Sequence, residues 1–232
     1  MAQQPERDKK MISKQVSERE KITIDSIKKN KLIAIIRGVC EHKLIKTAEA
    51  LYHGGIELME VTFNQCDPHC DEVISRQLTM LKDRFNDKLR LGAGTVMTAQ
   101  QVDVASDAYA DYIISPNTNV DIIRYTKAKG LVSIPGAFTA SEIAAAHEAG
   151  ADFVKLFPAN MCGVEYIKAI KGPLPHINLL VVGGVDKSNI QSFLKAGCVG
   201  AGVGGKLLDK SLIDADKFDE IEAAARQLVE SI

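Results

Sequence analysis

Phe153-Val154-Lys155-Leu156-Phe157-Pro158 sets one ammonium group inside a run of apolar side chains. Bounded by Asp152 and Pro158, the run reads as a buried strand. A charge buried there is costly unless it is paired or loses its proton. Desolvation favours the neutral amine, which is the nucleophilic form. A lysine near a strand end can instead bury its stem and keep its head in water. The surrounding sequence has to decide between a reactive amine and a structural one.

On either side of this run the chain alternates. β-like runs occur at Leu32–Arg37, Leu58–Phe63, Leu89–Val96, Tyr112–Ser115, Leu131–Gly136, Phe153–Phe157, Leu179–Val185 and Val199–Gly204. Helical patterns fall between and after them, at His42–His53, Cys70–Arg84, Ala99–Ala108, Val120–Lys129, Ala140–Ala149, Val164–Lys171, Lys187–Ala196 and Phe218–Val229. Several end in glycine, as in Lys129-Gly130, Ala149-Gly150 and Ala196-Gly197. Alternating strands and helices imply a parallel sheet, and about eight units imply a closed (β/α)₈ TIM barrel. A doubly wound open sheet is the rival. It is weakened because no Gly-x-Gly-x-x-Gly follows the first strand.

Residues 1–21 are polar and read as a tail, with Met11 an equally good start. Ile22–Lys29 suggests a short N-terminal helix, and residues 22–232 read as one (β/α)₈ domain. The net charge of −1, without a long basic run outside the tail, argues against nucleic acid as a partner. No stretch approaches the roughly 18 apolar residues of a membrane span, and no secretory signal is evident, so a cytoplasmic location is expected. The five cysteines, Cys40, Cys66, Cys70, Cys162 and Cys198, are an odd, scattered set that suggests free thiols. Cys66-Asp67-Pro68-His69-Cys70-Asp71 holds soft metal ligands, but such sites need about four, and no second pair stands nearby. A solvent-facing loop running into a helix start is the better reading, with no metal site.

In a barrel, side chains alternate between the interior and the helix layer. If Lys155 points inward, so do Phe153 and Phe157. The same parity groups Glu60 with Leu58 and Thr62, and Thr95 with Ala93 on a small-residue face. Arg37 closes the first strand. These polar residues lie towards the C-terminal ends of their strands, where barrel enzymes carry their active sites. Lys155 and Glu60 are thus candidates to face each other across the mouth, as a reactive amine with a proton-transfer partner or as a buried salt bridge. The last two strands carry Val182-Gly183-Gly184-Val185 and Gly202-Val203-Gly204-Gly205-Lys206. Accessible backbone N–H groups at such loops bind anions, and barrels often hold phosphate after strands 7 and 8. Each glycine pair alone is equally consistent with a tight turn.

Glu60-Val61-Thr62, Gly92-Ala93-Gly94-Thr95-Val96, Ile114-Ser115-Pro116, Ile134-Pro135-Gly136, Val154-Lys155-Leu156-Phe157-Pro158-Ala159 and the two glycine pairs together resemble the 2-keto-3-deoxy-6-phosphogluconate / 4-hydroxy-2-oxoglutarate aldolase family. The match runs from about Lys31 to the C-terminus in one register. The resemblance implies a (β/α)₈ barrel, usually a homotrimer. It also implies class I aldol cleavage of a phosphorylated keto acid to pyruvate, with a covalent Schiff base and neither metal nor cofactor. By position, Lys155 matches the Schiff-base lysine and Glu60 the general acid/base. Thr95 matches a contact to the pyruvyl carboxylate, and Phe157 and Pro116 match residues around the carbon chain. Gly183, Gly184, Gly204 and Gly205 match the phosphate-binding backbone.

The departures fall at the aldehyde end. Asn64 stands where many members carry an arginine, a role Arg37 is placed to take over. Val182 stands where gluconate-type enzymes commonly have threonine, and Lys206 replaces the usual serine. Valine and the arginine of the first strand resemble the galactonate branch, whose substrate is the C4 epimer. The leading expectation is cleavage of a gluconate-type 2-keto-3-deoxy-6-phospho acid, of 4-hydroxy-2-oxoglutarate, or of both. The alternative is 2-dehydro-3-deoxy-6-phosphogalactonate aldolase. From other classes, a phosphosugar isomerase or epimerase and a non-catalytic phosphosugar-binding barrel remain, since one barrel hosts many chemistries.

Overall fold

The computed structural model describes residues 17–232. It opens with helix α1 (Glu18–Asn30), which begins four residues before the sequence pattern suggested. Ser17 and Glu20 form a reciprocal capping box, with Glu20 N donating to Ser17 Oγ and Ser17 N to the Glu20 carboxylate. Arg19 pairs with Asp111 at 2.9 Å, and Lys127 joins Glu20 at 2.8 Å to Asp152 at 2.7 Å. The polar residues that read as tail are therefore fixed by partners some ninety to a hundred positions away. The rest of the expected tail, residues 1–16, lies outside the described residues.

The strands β1 (Leu32–Ile36), β2 (Leu58–Thr62), β3 (Arg90–Gly94), β4 (Tyr112–Ile114) and β5 (Val132–Ile134) pair in parallel, each with the next. The strands β6 (Gly136–Ala137), β7 (Val154–Leu156), β8 (Leu179–Val182) and β9 (Gly200–Val203) do the same, and β9 returns to β1. Only Pro135 separates β5 from β6. It has no N–H to donate, but its carbonyl accepts from Lys155 N at 2.8 Å. One interrupted strand thus faces β4 on one side and β7 on the other, and the nine segments form an eight-strand (β/α) barrel.

The helices α2 (Glu41–His53), α3 (Cys70–Phe85), α4 (Ala99–Asp107), α5 (Val120–Ala128), α6 (Ala140–Glu148), α7 (Gly163–Lys171) and α8 (Ile190–Lys195) fill the crossovers. After β9 come α9 (Lys210–Asp214), which the sequence pattern did not suggest, and α10 (Phe218–Val229). The Cys66–Asp71 segment is a turn running into α3, as expected.

Strand alternation divides the core in two. Met59, Val61, Val154, Leu156 and Val181 belong to an outer layer with helix residues such as Leu44, Leu78 and Ile221. Ile33, Leu58, Tyr112, Ile114, Val132, Ile134, Phe153 and Leu180 fill the interior, joined from α1 by Ile27. This apolar filling occupies the lower barrel. Polar chemistry is left for the C-terminal end.

Candidate active site

Lys155 lies between inward-facing Phe153 and the Phe157 ring, whose centroid is 4.7 Å from Nζ. It is 6% exposed, and Glu60 is 2% exposed. Both stand one step above the apolar filling, because Leu58 and Phe153 occupy the inward positions two residues earlier. Glu60 is paired with Ile35 and Gly92, while Lys155 is paired with Gly136 and Leu180.

Burial dominates the electrostatics. It raises the Glu60 carboxyl to about 7, against the opposing pull of Lys155 and Arg37. It lowers the Lys155 ammonium, aided by Arg37 and opposed by Glu60. The result is an amine and a carboxyl group both biased towards their neutral forms, without an ion pair between them shorter than 4.0 Å among the described residues. Such a pair can exchange protons near neutrality.

Small residues create the room. A Cβ on Gly94 would come within 2.5 Å of Glu60 Oε2, and one on Gly92 within 2.0 Å of the Tyr112 ring. This corrects the parity expected of this strand: Ala93 packs in the outer layer, and Gly92 and Gly94 face inward. Thr95 has a left-handed φ of 60°, so it leaves the strand alternation at the mouth, where its carbonyl accepts from Gln65 Nε2. The Pro116 carbonyl abuts Gly136, the β partner of Lys155.

Beside the pair opens a cavity of about 460 Å³ that gathers Arg37, Phe157, Val182, Gly183, Gly184, Gly204, Gly205 and Lys206. Lys155, Glu60, Thr95 and Pro116 are not among its lining residues; Phe157, whose ring lies against Lys155 Nζ, and Ile35, the β partner of Glu60, connect it to the buried pair. Gly183 and Gly184 take φ of 103° and 71°, a conformation that side chains strain, so these positions require glycine. Gly205 meets open space. Lys206 Nζ binds Asp186 Oδ2 at 2.6 Å, and with Ser188 it holds the Asp186 carboxyl down at about 2. Asp186, Ile35 and Tyr112 were missed in the sequence reading. Asp186 had a usable signal: it follows the Gly183-Gly184-Val185 turn and opens the Asp-x-Ser turn to Ser188.

Residues 23–224 match the aldolase family described as KDPG and KHG aldolase. The chain belongs to the KDPG/KHG aldolase family. A 2-dehydro-3-deoxy-6-phosphogalactonate aldolase of Escherichia coli K12 is 36% identical over 177 residues, covering 76% of this chain and 83% of its own. A solved structure described as native KDPGal superposes with a TM-score of 0.78 at 31% identity, over 86% of this chain and 93% of its own. The KDPG aldolase of Legionella pneumophila, solved with pyruvate captured as a covalent carbinolamine, gives 0.79 at 25% identity over 91% and 98%. This member of the KDPG/KHG family is accordingly a class I aldolase, a lyase on the (β/α)₈ barrel. Among its described residues no helix is long and apolar enough to cross a membrane.

Proposed function

We propose that this KDPG/KHG-family aldolase cleaves 2-dehydro-3-deoxy-6-phosphogalactonate to pyruvate and glyceraldehyde 3-phosphate, with Lys155 as the Schiff-base nucleophile and Glu60 as the acid/base. The observation that carries the chemistry is the burial of Lys155 and Glu60 in one interior layer, both biased towards neutrality. The neutral amine adds to the C2 ketone, and the carbinolamine loses water to form an iminium. The Glu60 carboxylate takes the C4 hydroxyl proton, the C3–C4 bond breaks, and its electron pair enters the enamine as the aldehyde leaves. Glu60 then returns the proton to C3, and water hydrolyses the iminium to release pyruvate and the amine. The iminium is the electron sink, so the proposed sequence calls on no metal.

Arg37 acts electrostatically on both Lys155 and Glu60, which suits it to the keto-acid carboxylate; Thr95 is assigned a second contact there. Pro116 and Phe157 flank the carbon chain. The Gly183-Gly184 and Gly204-Gly205 backbones take the phosphate, whose remote binding energy positions the C4 hydroxyl.

The galactonate branch is favoured over the gluconate-type reading by Val182 and Arg37 in the cavity and by the 36% identical relative. Cleavage of the gluconate epimer and of 4-hydroxy-2-oxoglutarate is the second reading, supported for the first by the Legionella enzyme and for the second by the family description. Neither an isomerase nor a binding barrel calls for a buried nucleophilic amine. Pyruvate release from both epimeric phospho acids and from 4-hydroxy-2-oxoglutarate tests the assignment. A higher kcat/KM on the galactonate epimer supports it, and a preference for the gluconate epimer overturns it. Residues 22–232 act as one catalytic domain in this reading, assembled as a cytoplasmic homotrimer; sedimentation at three times the chain mass is the expected result.

A further inference from the structure

Two buried polar atoms in the barrel interior, Glu60 Oε2 and Tyr112 Oη, have no hydrogen-bond partner among the described residues. A buried phenol normally finds one, and an unpaired carboxyl oxygen is costly. The strand register puts them in one row: Glu60 is paired with Gly92, and Gly92 with Tyr112. A Cβ on Gly92 would lie 2.0 Å from Tyr112 Cε2 and 2.5 Å from Cζ, so the ring crosses β3 where that strand has no side chain. The Glu60 carboxylate rests two positions further on, where a Cβ on Gly94 would lie 2.5 Å from Oε2. Both polar ends thus lie against the same bare face of β3.

We propose that Tyr112 is a positioning residue for Glu60: across Gly92 its hydroxyl acts on the buried oxygen of the carboxyl group through one bridging water molecule, orienting that group and favouring its ionised form. The charges acting on Glu60 from the other strands are Lys155 of β7 and Arg37 beyond β1. Those acting on Tyr112 are Glu60 and Asp111, and Asp111 is itself engaged by Arg19 and by Leu91 N. Burial and both carboxylates hold the phenol well above its ordinary range, so it acts as a donor and is not itself ionised.

The catalytic consequence rests on Glu60 being the acid/base of the proposed reaction, but the hydrogen bond does not. Y112F deletes only the hydroxyl. With carboxyl-labelled glutamate, assigned by E60Q, the Glu60 titration should have its midpoint near 7 in the parent. In Y112F it should rise by about half to one pH unit, a roughly three- to tenfold change from losing one hydrogen bond to the charged form. The acidic limb of kcat/KM should move by the same amount, while the maximal yield of borohydride-trapped pyruvate at Lys155 stays unchanged. If Y112F does not fold, the parent protein carrying 3-fluorotyrosine supplies a more acidic donor, and the Glu60 midpoint should fall. An unmoved Glu60 midpoint in the folded variant overturns the proposal. A moved midpoint without any pyruvate adduct would retain the hydrogen bond and reject the aldolase assignment of Lys155.

Discussion

At the base of the mouth, Lys155 and Glu60 are almost wholly buried, held by strand register and by glycines opposite them. At the rim, the Lys206 side chain is 67% exposed and leans on Asp186, in loops beyond β8 and β9. Desolvation shifts the titration of the inner pair, whereas direct hydrogen bonds hold Asp186 low at the rim. In the proposed reaction the inner end changes protonation state. The outer end keeps fixed charges in water, where an ion pair contributes little to stability and is easily exchanged for another anion. The proposed function thereby places chemistry and selectivity apart, and each can be tested alone.

The largest effect is expected from Lys155→Ala, which should reduce pyruvate release from every substrate to background while leaving the fold intact; circular dichroism and a coupled pyruvate assay check this. Glu60→Gln should lower kcat by about 10²- to 10⁴-fold, the range for loss of a general acid/base. It also removes the charge that raises the Lys155 ammonium. Lys155 should therefore lose its proton at lower pH, and the pH midpoint of borohydride trapping by pyruvate should move down. An unmoved midpoint would show that the two groups are not coupled.

Changes at the rim should be smaller and should depend on phosphate. Lys206→Ala removes a cation and leaves Asp186 unpaired, so KM for phosphorylated substrates should rise about three- to tenfold, while 4-hydroxy-2-oxoglutarate is unaffected. Asp186→Asn frees Lys206, and its effect on the same KM should have the opposite sign. Effects of one sign from both variants would mean that the pair is only structural. Smallest of all, Val182→Thr should shift the ratio of kcat/KM between the two epimers a few-fold towards the gluconate form, about 1 kcal/mol for one hydroxyl at the pocket wall.

The division also explains what was legible in the sequence. Lys155 and Glu60 were readable because period-two alternation is a local rule, and one charge in an apolar strand violates it visibly. Eight strand–helix units were readable for the same reason. The direction of Thr95 was not, because a left-handed φ ends the alternation one residue beyond β3, and Gly92 and Gly94 became the inward pair. Ser17, Arg19 and Glu20 read as tail because nothing nearby in sequence reveals Asp111 or Lys127. The Lys206–Asp186 contact joins two loops twenty residues apart and follows from neither loop alone. Local periodicity encodes the reactive floor. Long-range pairing builds the rim and the closing helix.

The buried amine of Lys155 is the proposed nucleophile. Incubation with pyruvate and borohydride, followed by peptide mass spectrometry, tests it most directly. A reduced pyruvyl adduct is expected on Lys155, with activity lost in proportion to its formation. A folded, active protein that carries no adduct there, or carries it on another lysine, would contradict it.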